Sequence, residues 1–572
     1  GALVDDIVTN HKNWTHAGLF MRVGQNIRCG PHDDAGSTIS VIFFSGTAHI
    51  SALASFVSDS GTMKVPTHPP AAIGDITMVA HLTAPLNSLT AALARHFPRL
   101  APPPRSPELL PTAIGPFDCF RPQPLAHPDA PLPAFVAACP VAQKYRVLLG
   151  CLDWAHFPER PTDRPWPGSD PAPRASFVAA YLVKLHEQKR SMGALRTFLV
   201  EHPALVWLLG FKLVADPTAP HGFNGAKSVP QRRQLNRVLR DLSNDACQFL
   251  LDSSVQLIRD ALPPELAASF GDVVAGDTKH LLAWVKENNP KQYIKEGRFD
   301  PKRQPKGDPD CTLGVKKRRN LSPEPDATPA PTPTTEAVTP SHKRGEAEYY
   351  WGYASGVVAS IIPGWGEVVL AERTRPFNES DISYFFPLMQ QTERRLGRKP
   401  RFGAWDTAFD AFYVYEYFHT AGGFAAVPVV HREKTPRRQF TPDGQPLCAA
   451  GLAMPRLFLY HDRTSSLVAH QREKCGCPLL HPTPTGENCP SDDPHFAKGG
   501  CTTTLAASIG ARLRWQLDRE SDEYRQIFDQ RTVCERVNSQ AVELGIERPK
   551  LRNRCSITNQ NTLLYVLLNV QA

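Results

Sequence analysis

From Asp272 onward the chain alternates short apolar runs with amphipathic segments, and that order limits the fold more than any other feature. The runs "DVVAGD", "EYYWGYASGVVASII" and "GEVVLAERT" come first. A helical pattern from Asp381 to Leu396, the run "RFGAWD", a second helical pattern from Ala408 to Thr420 and the run "FAAVPVV" follow. Strand, strand, strand, helix, strand, helix, strand, helix is the order of a mixed α/β sheet flanked by helices.

Two insertions interrupt this pattern. Residues 318–346 hold "LSPEPDATPAPTPTTEAVTPSHKRG", with six prolines between Pro323 and Pro340, and read as an extended, disordered stretch. Residues 431–515 form an irregular β-rich insertion that carries Cys448, Cys475, Cys477, Cys489 and Cys501. The spacing of Cys475, Cys477, Cys489 and Cys501 departs from the paired Cys-x2-Cys of a zinc ribbon. Both readings stand, unligated thiols or a structural Zn²⁺ site.

Upstream, residues 126–265 are dominated by helical patterns, and residues 1–125 show no sustained periodicity and receive no function. The segment beginning "SVPQRRQLNRVLRDL" starts with Ser228 three residues before Gln231, which predicts a capping box with Pro230 in the first turn. Leu235, Val238, Leu239 and Leu242 mark a buried face, while Arg233, Arg237 and Arg240 recur on another. That stripe is either a solvated helix face or a surface for phosphates. The absence of any acid from residues 231–240, against four arginines, suits the second.

Size and charge bound the alternatives. A chain of 572 residues can bury more than one core, and a formal charge of +8, from 64 basic and 56 acidic residues, is a mild lean toward polyanions. Thirteen cysteines are sparse, and Gly1 to Asp5 has neither the basic nor the apolar region of a secretory signal, so reduced thiols and a cytoplasmic location are expected. The longest apolar runs fall far short of the roughly 18 residues of a membrane span, which argues against a membrane partner.

Three acids carry the chemistry. Asp277 ends "DVVAGD" and Asp406 ends "RFGAWD", each just before a predicted helix, so each reads either as a helix cap or as a strand-end ligand. Glu535 falls within "DEYRQIFDQRTVCERVNSQAVELG", read as one helix. There it is either a surface partner of Arg531 at i−4 or a third ligand. Two aspartates from adjacent strands and a glutamate from a covering helix make an all-oxygen set suited to Mg²⁺ or Mn²⁺. Two such ions clamp the attacking and leaving oxygens of a phosphodiester.

"AGDTKHL", "YYWGYASGV", "TRPFNESD", "AWDTAFD" and "RTVCERVNSQ", in this order, resemble the DDE transposases of bacterial insertion sequences. The resemblance runs from about residue 130 to 572, and its last motif is the most specific. In the branch with a Tyr-x2-Arg-x3-Glu-x6-Lys signature the corresponding positions here are Phe528, Arg531, Glu535 and Val542, so arginine and glutamate are kept while tyrosine and lysine are replaced.

The resemblance implies an RNase H-like catalytic core over 266–572 with the β-rich insertion, preceded by an all-helical domain over 126–265 that binds DNA ends. It implies a transposase that cuts element ends and joins the freed 3′-OH to target DNA. Asp277, Asp406 and Glu535 would hold two Mg²⁺ or Mn²⁺ ions, and Arg531, Asn538, Arg233, Arg237 and Arg240 would contact DNA. It further implies double-stranded DNA as partner, terminal inverted repeats and target alike, a homodimer on DNA and a bacterial, nucleoid-associated location. A catalytically dead DNA-binding relic and an RNase H-like nuclease without strand transfer share the same residues.

Overall fold

The computed structural model describes residues 123–127, 130–160, 171–219, 222–289, 297–316, 348–377, 379–429, 438–464 and 466–572, with two short strands nearer the N-terminus. Residues 1–104 form one compact unit, of which the described part is an antiparallel pair, β1 (Val41–Phe43) and β2 (Ala52–Ala54). The Pro-rich stretch 318–346 and most of 1–125 lie outside the described residues.

Residues 105–572 form the second unit. Its first half is helical, with α1 (Pro140–Gly150), α2 (Arg174–His186), α3 (Met192–Glu201), α4 (Arg232–Asp241) and α5 (Asn244–Ala261). α4 buries Leu235, Val238 and Leu239 and leaves Arg233, Arg237 and Arg240 exposed. The expected capping box at Ser228 does not form. Ser228 ends a separate short helix, where its hydroxyl donates to Asn224 O at 2.7 Å, and α4 begins only after Pro230. Proline has no N–H to donate and biases the residue before it toward extended backbone, which separates the two helices.

The sheet follows. β3 (Val273–Leu282), β4 (Thr312–Lys316), β5 (Glu348–Ile362) and β6 (Gly366–Pro376) pair antiparallel, β3 along one edge of β5 and β4 and β6 along the other. Beyond β3 lie β7 (Phe402–Ala404) and β8 (Phe424–Ala426), both parallel to it, so the order is β6-β5-β3-β7-β8. The parallel strands are reached through α6 (Phe385–Leu396) and α7 (Phe412–Thr420). The outcome is a mixed α/β sheet flanked by helices.

No helix follows Asp277. β3 continues five residues past it and pairs with β5 as far as Leu282 opposite Gly352; only a short turn, Lys286–Asn288, comes later. Leu281, Ala283 and Val285 are buried while Trp284 is exposed, which is the two-residue period of an extended chain. Leu281, Leu282, Trp284 and Val285 therefore do not share a helical face, and Asp277 lies in mid-strand rather than at a strand end.

The Cys-rich insertion builds a three-stranded antiparallel sheet, β9 (Arg456–His461), β10 (Gln471–Gly476) and β11 (Thr502–Ala506). Then come α8 (Gly510–Gln516), α9 (Asp522–Asp529), α10 (Thr532–Glu543) and α11 (Arg554–Gln571). The segment read as one helix is thus broken at Gln530 and Arg531, which puts Glu535 in the first turn of α10, where a carboxylate suits the helix dipole.

α11 ties the helices to the sheet. One hydrophobic cluster joins Phe177 and Tyr181 of α2, Leu250 of α5, Tyr353 and Val357 of β5, and Leu563, Leu564 and Leu567 of α11. The polar residues of α11 serve backbone groups that lack partners elsewhere. Asn559 donates to Leu239 O and Leu242 O at 2.9 and 2.8 Å, closing the end of α4. In β6 a bulge sets Ala371 and Val369 opposite consecutive residues of β5. Asn569 accepts from Val369 N at 2.8 Å and donates to Val369 O at 2.9 Å, while Arg395 donates to Leu370 O at 2.7 Å.

Asn569→Ala strands both polar groups of a buried residue, and the expected cost is about 2–4 kcal/mol. A urea-denaturation midpoint equal to that of the parent chain would overturn this account of the bulge.

Candidate active site

Register brings Asp277 and Asp406 together. β3 and β7 run parallel with Val273, Val274 and Ala275 opposite Phe402, Gly403 and Ala404. Two residues beyond the last pair stand Asp277 on one chain segment and Asp406 on the other. The residues between are Gly276 and Trp405, and they pack face to face. A Cβ on Gly276 would lie 1.9 Å from the Trp405 ring, which is fully buried, so only glycine permits this approach.

Each carboxyl is held by hydrogen bonds. Asp277 Oδ1 accepts from Thr278 N at 2.8 Å and Oδ2 from Asn538 Nδ2 at 3.0 Å. Burial pushes its pKa up to about 6, the charges of Asp406 and Asp381 push the same way, and the Thr278 N–H and Arg531 oppose them. Asp406 does act as a cap, accepting from Ala408 N at 2.9 Å at the start of the turn Thr407–Phe409, instead of capping a full helix from Ala408. Its pKa is likewise raised, by burial first and then by Asp381, against the Ala408 N–H and Arg531.

α10 lies over β3 and β5 and supplies Arg531 at its N-cap, then Glu535 and Asn538, a spacing that puts the three on one face. Glu535 is half-exposed and paired with Arg531, so the i−4 ion pair expected from sequence is present. Arg531 also bears electrostatically on both aspartates. Asn538, expected at DNA, is mostly buried against Asp277, and among the described residues its amide oxygen lacks a partner.

One acid escaped the sequence reading. Asp381 opens the turn Asp381–Tyr384 that leads into α6 and packs against the turn capped by Asp406; its Oδ1 accepts from Thr278 Oγ1 at 2.8 Å. "TRPFNESD" ends on this residue, yet an acid opening a helix looks like any first-turn carboxylate.

Among the described residues no three histidine, cysteine, aspartate or glutamate side chains are arranged to hold a metal ion. In the insertion, Cys477 and Cys501 share a hydrogen bond beside Cys448. The Cys501 thiol is pushed up to about 12 by burial and then by Cys477 and Cys448. Cys475 packs with Met454, Leu505 and Ala511, and Cys489 bonds Ser491 Oγ at 3.3 Å. Of the four cysteines of the expected zinc set, Cys477 and Cys501 thus touch one another and Cys501 borders the cluster of Cys475, while Cys489 turns to Ser491. Among the described residues no helix is long and apolar enough to cross a membrane.

The raised pKa of Asp277 has a definite sign. Folding disfavours its ionisation, so the penalty is absent below the unfolded value of 3.8, grows as pH rises through about 6, and is full above that. In EDTA, Asp277→Asn is expected to stabilise the chain by about 1–3 kcal/mol at pH 8 and by nearly nothing at pH 4. Chemical denaturation at the two pH values checks this, and an Asn variant less stable at pH 8 overturns it. Compared with protein-family models and with curated proteins, the chain matches none, so the chemistry of this site is argued from its own residues.

Proposed function

We propose that the chain is a DNA transposase of the DDE type, with an RNase H-like core that cuts element ends and joins the 3′-OH to target DNA. The observation that carries this reading is the equal offset of Asp277 and Asp406 past the parallel register of β3 and β7, beneath the helix bearing Arg531, Glu535 and Asn538. Three antiparallel strands followed by two parallel ones support the RNase H-like assignment.

The residues suit a hard divalent cation in part. Asp277 and Asp406 are carboxylates whose burial and neighbouring acids resist ionisation, a penalty that a cation would offset, and among the described residues the buried Asn538 oxygen lacks a donor. Glu535 is engaged with Arg531 and becomes available only when that pair opens. Bound Mg²⁺ or Mn²⁺ would polarise the phosphodiester and activate water or the 3′-OH. Asp277, Asp406 and a released Glu535 would hold the ions. Arg531, freed from Glu535, neutralises a non-bridging phosphate oxygen, and Asn538 fixes the Asp277 carboxyl.

The exposed arginines of α4 track the backbone of end DNA, and two copies of the chain bring two ends together. Asp277→Asn and Asp406→Asn are each expected to bind end DNA as the parent does, and to lose at least about a thousandfold in Mg²⁺-dependent cleavage and joining. A labelled end oligonucleotide reports both steps. Parent-like cutting by either variant sinks the mechanism, and cutting without joined product turns the reading into a nuclease. Arg233→Ala with Arg237→Ala is expected to lower the slope of binding against log salt by about one unit per lost contact. An unaltered slope returns that face to solvent.

A further inference from the structure

We propose that Glu372 is a pH-sensitive latch between the helical half of the second unit and the sheet: its protonated carboxyl seats α5 and α11 on β6, and its ionisation loosens that seam. The latch is independent of the reaction proposed above. Glu372 lies in mid-strand on β6, fully buried, where β6 meets α5 and α11. Its Oε1 accepts from Thr562 Oγ1 of α11 and from Gln248 Nε2 of α5 at 3.0 Å, and Thr374 Oγ1 stands 3.3 Å from Oε2. All three partners are uncharged. The seam between helices and sheet thus closes on one ionisable group.

A buried carboxylate is costly unless a cation balances it. The cation that bears on Glu372, Arg395 of α6, is committed elsewhere: it pairs with Asp252 of α5 at 2.5 Å and donates to Leu370 O at 2.7 Å and Gln248 Oε1 at 2.6 Å. Arg394 of α6 pairs with Asp252 as well. The Cys247 thiol of α5 and the Tyr565 phenol of α11, which also face Glu372, are pushed far up by burial and stay neutral. β5 sets Val357 opposite it, and Arg536 and Gln540 of α10 turn to Glu367 farther along β6. Thr374 suits both charge states, since its hydroxyl donates to a carboxylate and accepts from a carboxylic acid. Burial accordingly moves the Glu372 pKa from the ordinary 4.5 to about 7, against the two threonine hydroxyls, Arg395 and Gln248. The cost of ionisation is therefore absent below 4.5, grows as pH rises, and is full above about 7. At that end the carboxylate gains by opening to water.

Hydrogen exchange of the full chain, corrected for the intrinsic rate at each pH, reports the opening of α5 and α11. From about pH 5.5 to 7.5 their opening equilibrium is expected to rise at least about tenfold in the parent relative to Glu372→Gln, which keeps the shape and cannot ionise. Asp277 and Asp406 titrate in both chains and cancel in the comparison. The same pH profile in the parent and in Glu372→Gln overturns the latch. A rise shared equally by β3 and β7 overturns it too, because the effect then belongs to the whole fold and not to the seam. If Glu372→Gln does not fold, Thr374→Val is read in its place. It withdraws a donor from the carboxylate, so the rise is expected to extend to higher pH, and a profile equal to the parent's overturns the latch.

Discussion

The site depends on one constraint, the approach of Gly276 to the indole of Trp405. β7 offers β3 only three residues of pairing, Phe402 to Ala404, too few to fix a carboxylate by backbone hydrogen bonds alone. The ring beneath Gly276 extends the contact past the last pair, where Asp277 and Asp406 stand. Trp405 in turn packs against Phe385 of α6 at 5.2 Å and Phe409 at 4.6 Å between ring centroids. The level of Asp406, the turn after it and the start of α6 are consequently set by one buried ring. Offset aromatic pairs of this kind contribute about 0.5–1.5 kcal/mol each beyond the area they bury. Their larger effect here is on where three acids lie.

The opposite face is governed by α11. A helix whose buried residues include Asn559, Asn561, Thr562 and Asn569 would be costly unless each polar group met a partner. Here Asn559 closes the end of α4, Asn569 the bulge of β6 and Thr562 the buried Glu372 carboxyl, which also accepts from Gln248 Nε2 at 3.0 Å, while Asn561 donates to Thr374 Oγ1 at 2.9 Å and its Oδ1 meets no partner among the described residues. Burial still raises the Glu372 pKa to about 7. The helices of residues 126–265 and the sheet share this polar seam and one hydrophobic cluster, so a change of position in α4 has a packed route to β6.

Much of this was legible in the sequence because strands and helices differ in period. The runs "EYYWGYASGVVASII" and "GEVVLAERT" became strands, as did the first three residues of "FAAVPVV", and Asp381 to Leu396 became a turn and a helix. Boundaries were less legible. Leu281, Leu282, Trp284 and Val285 fit a helical spacing and an extended one almost equally, and pairing with β5 decided for the strand. The break at Gln530 that moved Glu535 to a helix start contains neither proline nor glycine, so nothing local announced it. Asp277, Asp406 and Arg531 were found as a set because their motifs recur in order. Asp381 was missed because its importance is a matter of tertiary contact with Thr278 and with the turn at Asp406.

Charge balance shows how the parts act on one another. Asp277 and Asp406 feel the charges of Asp381 and of Arg531, and among the described residues Arg531 pairs directly with Glu535. Burial first, and then the neighbouring acids, raise the pKa values of Asp277 and Asp406, so both resist losing their protons. A divalent cation at the aspartates would offset that penalty and lessen their hold on Arg531. In the proposed reaction a phosphate would compete with Glu535 for the guanidinium, and the displaced carboxylate would be free to hold an ion. Cation and DNA would in this way favour each other's binding through one side chain at the start of α10, and in the proposed reaction its ion pair would couple substrate arrival to completion of the site.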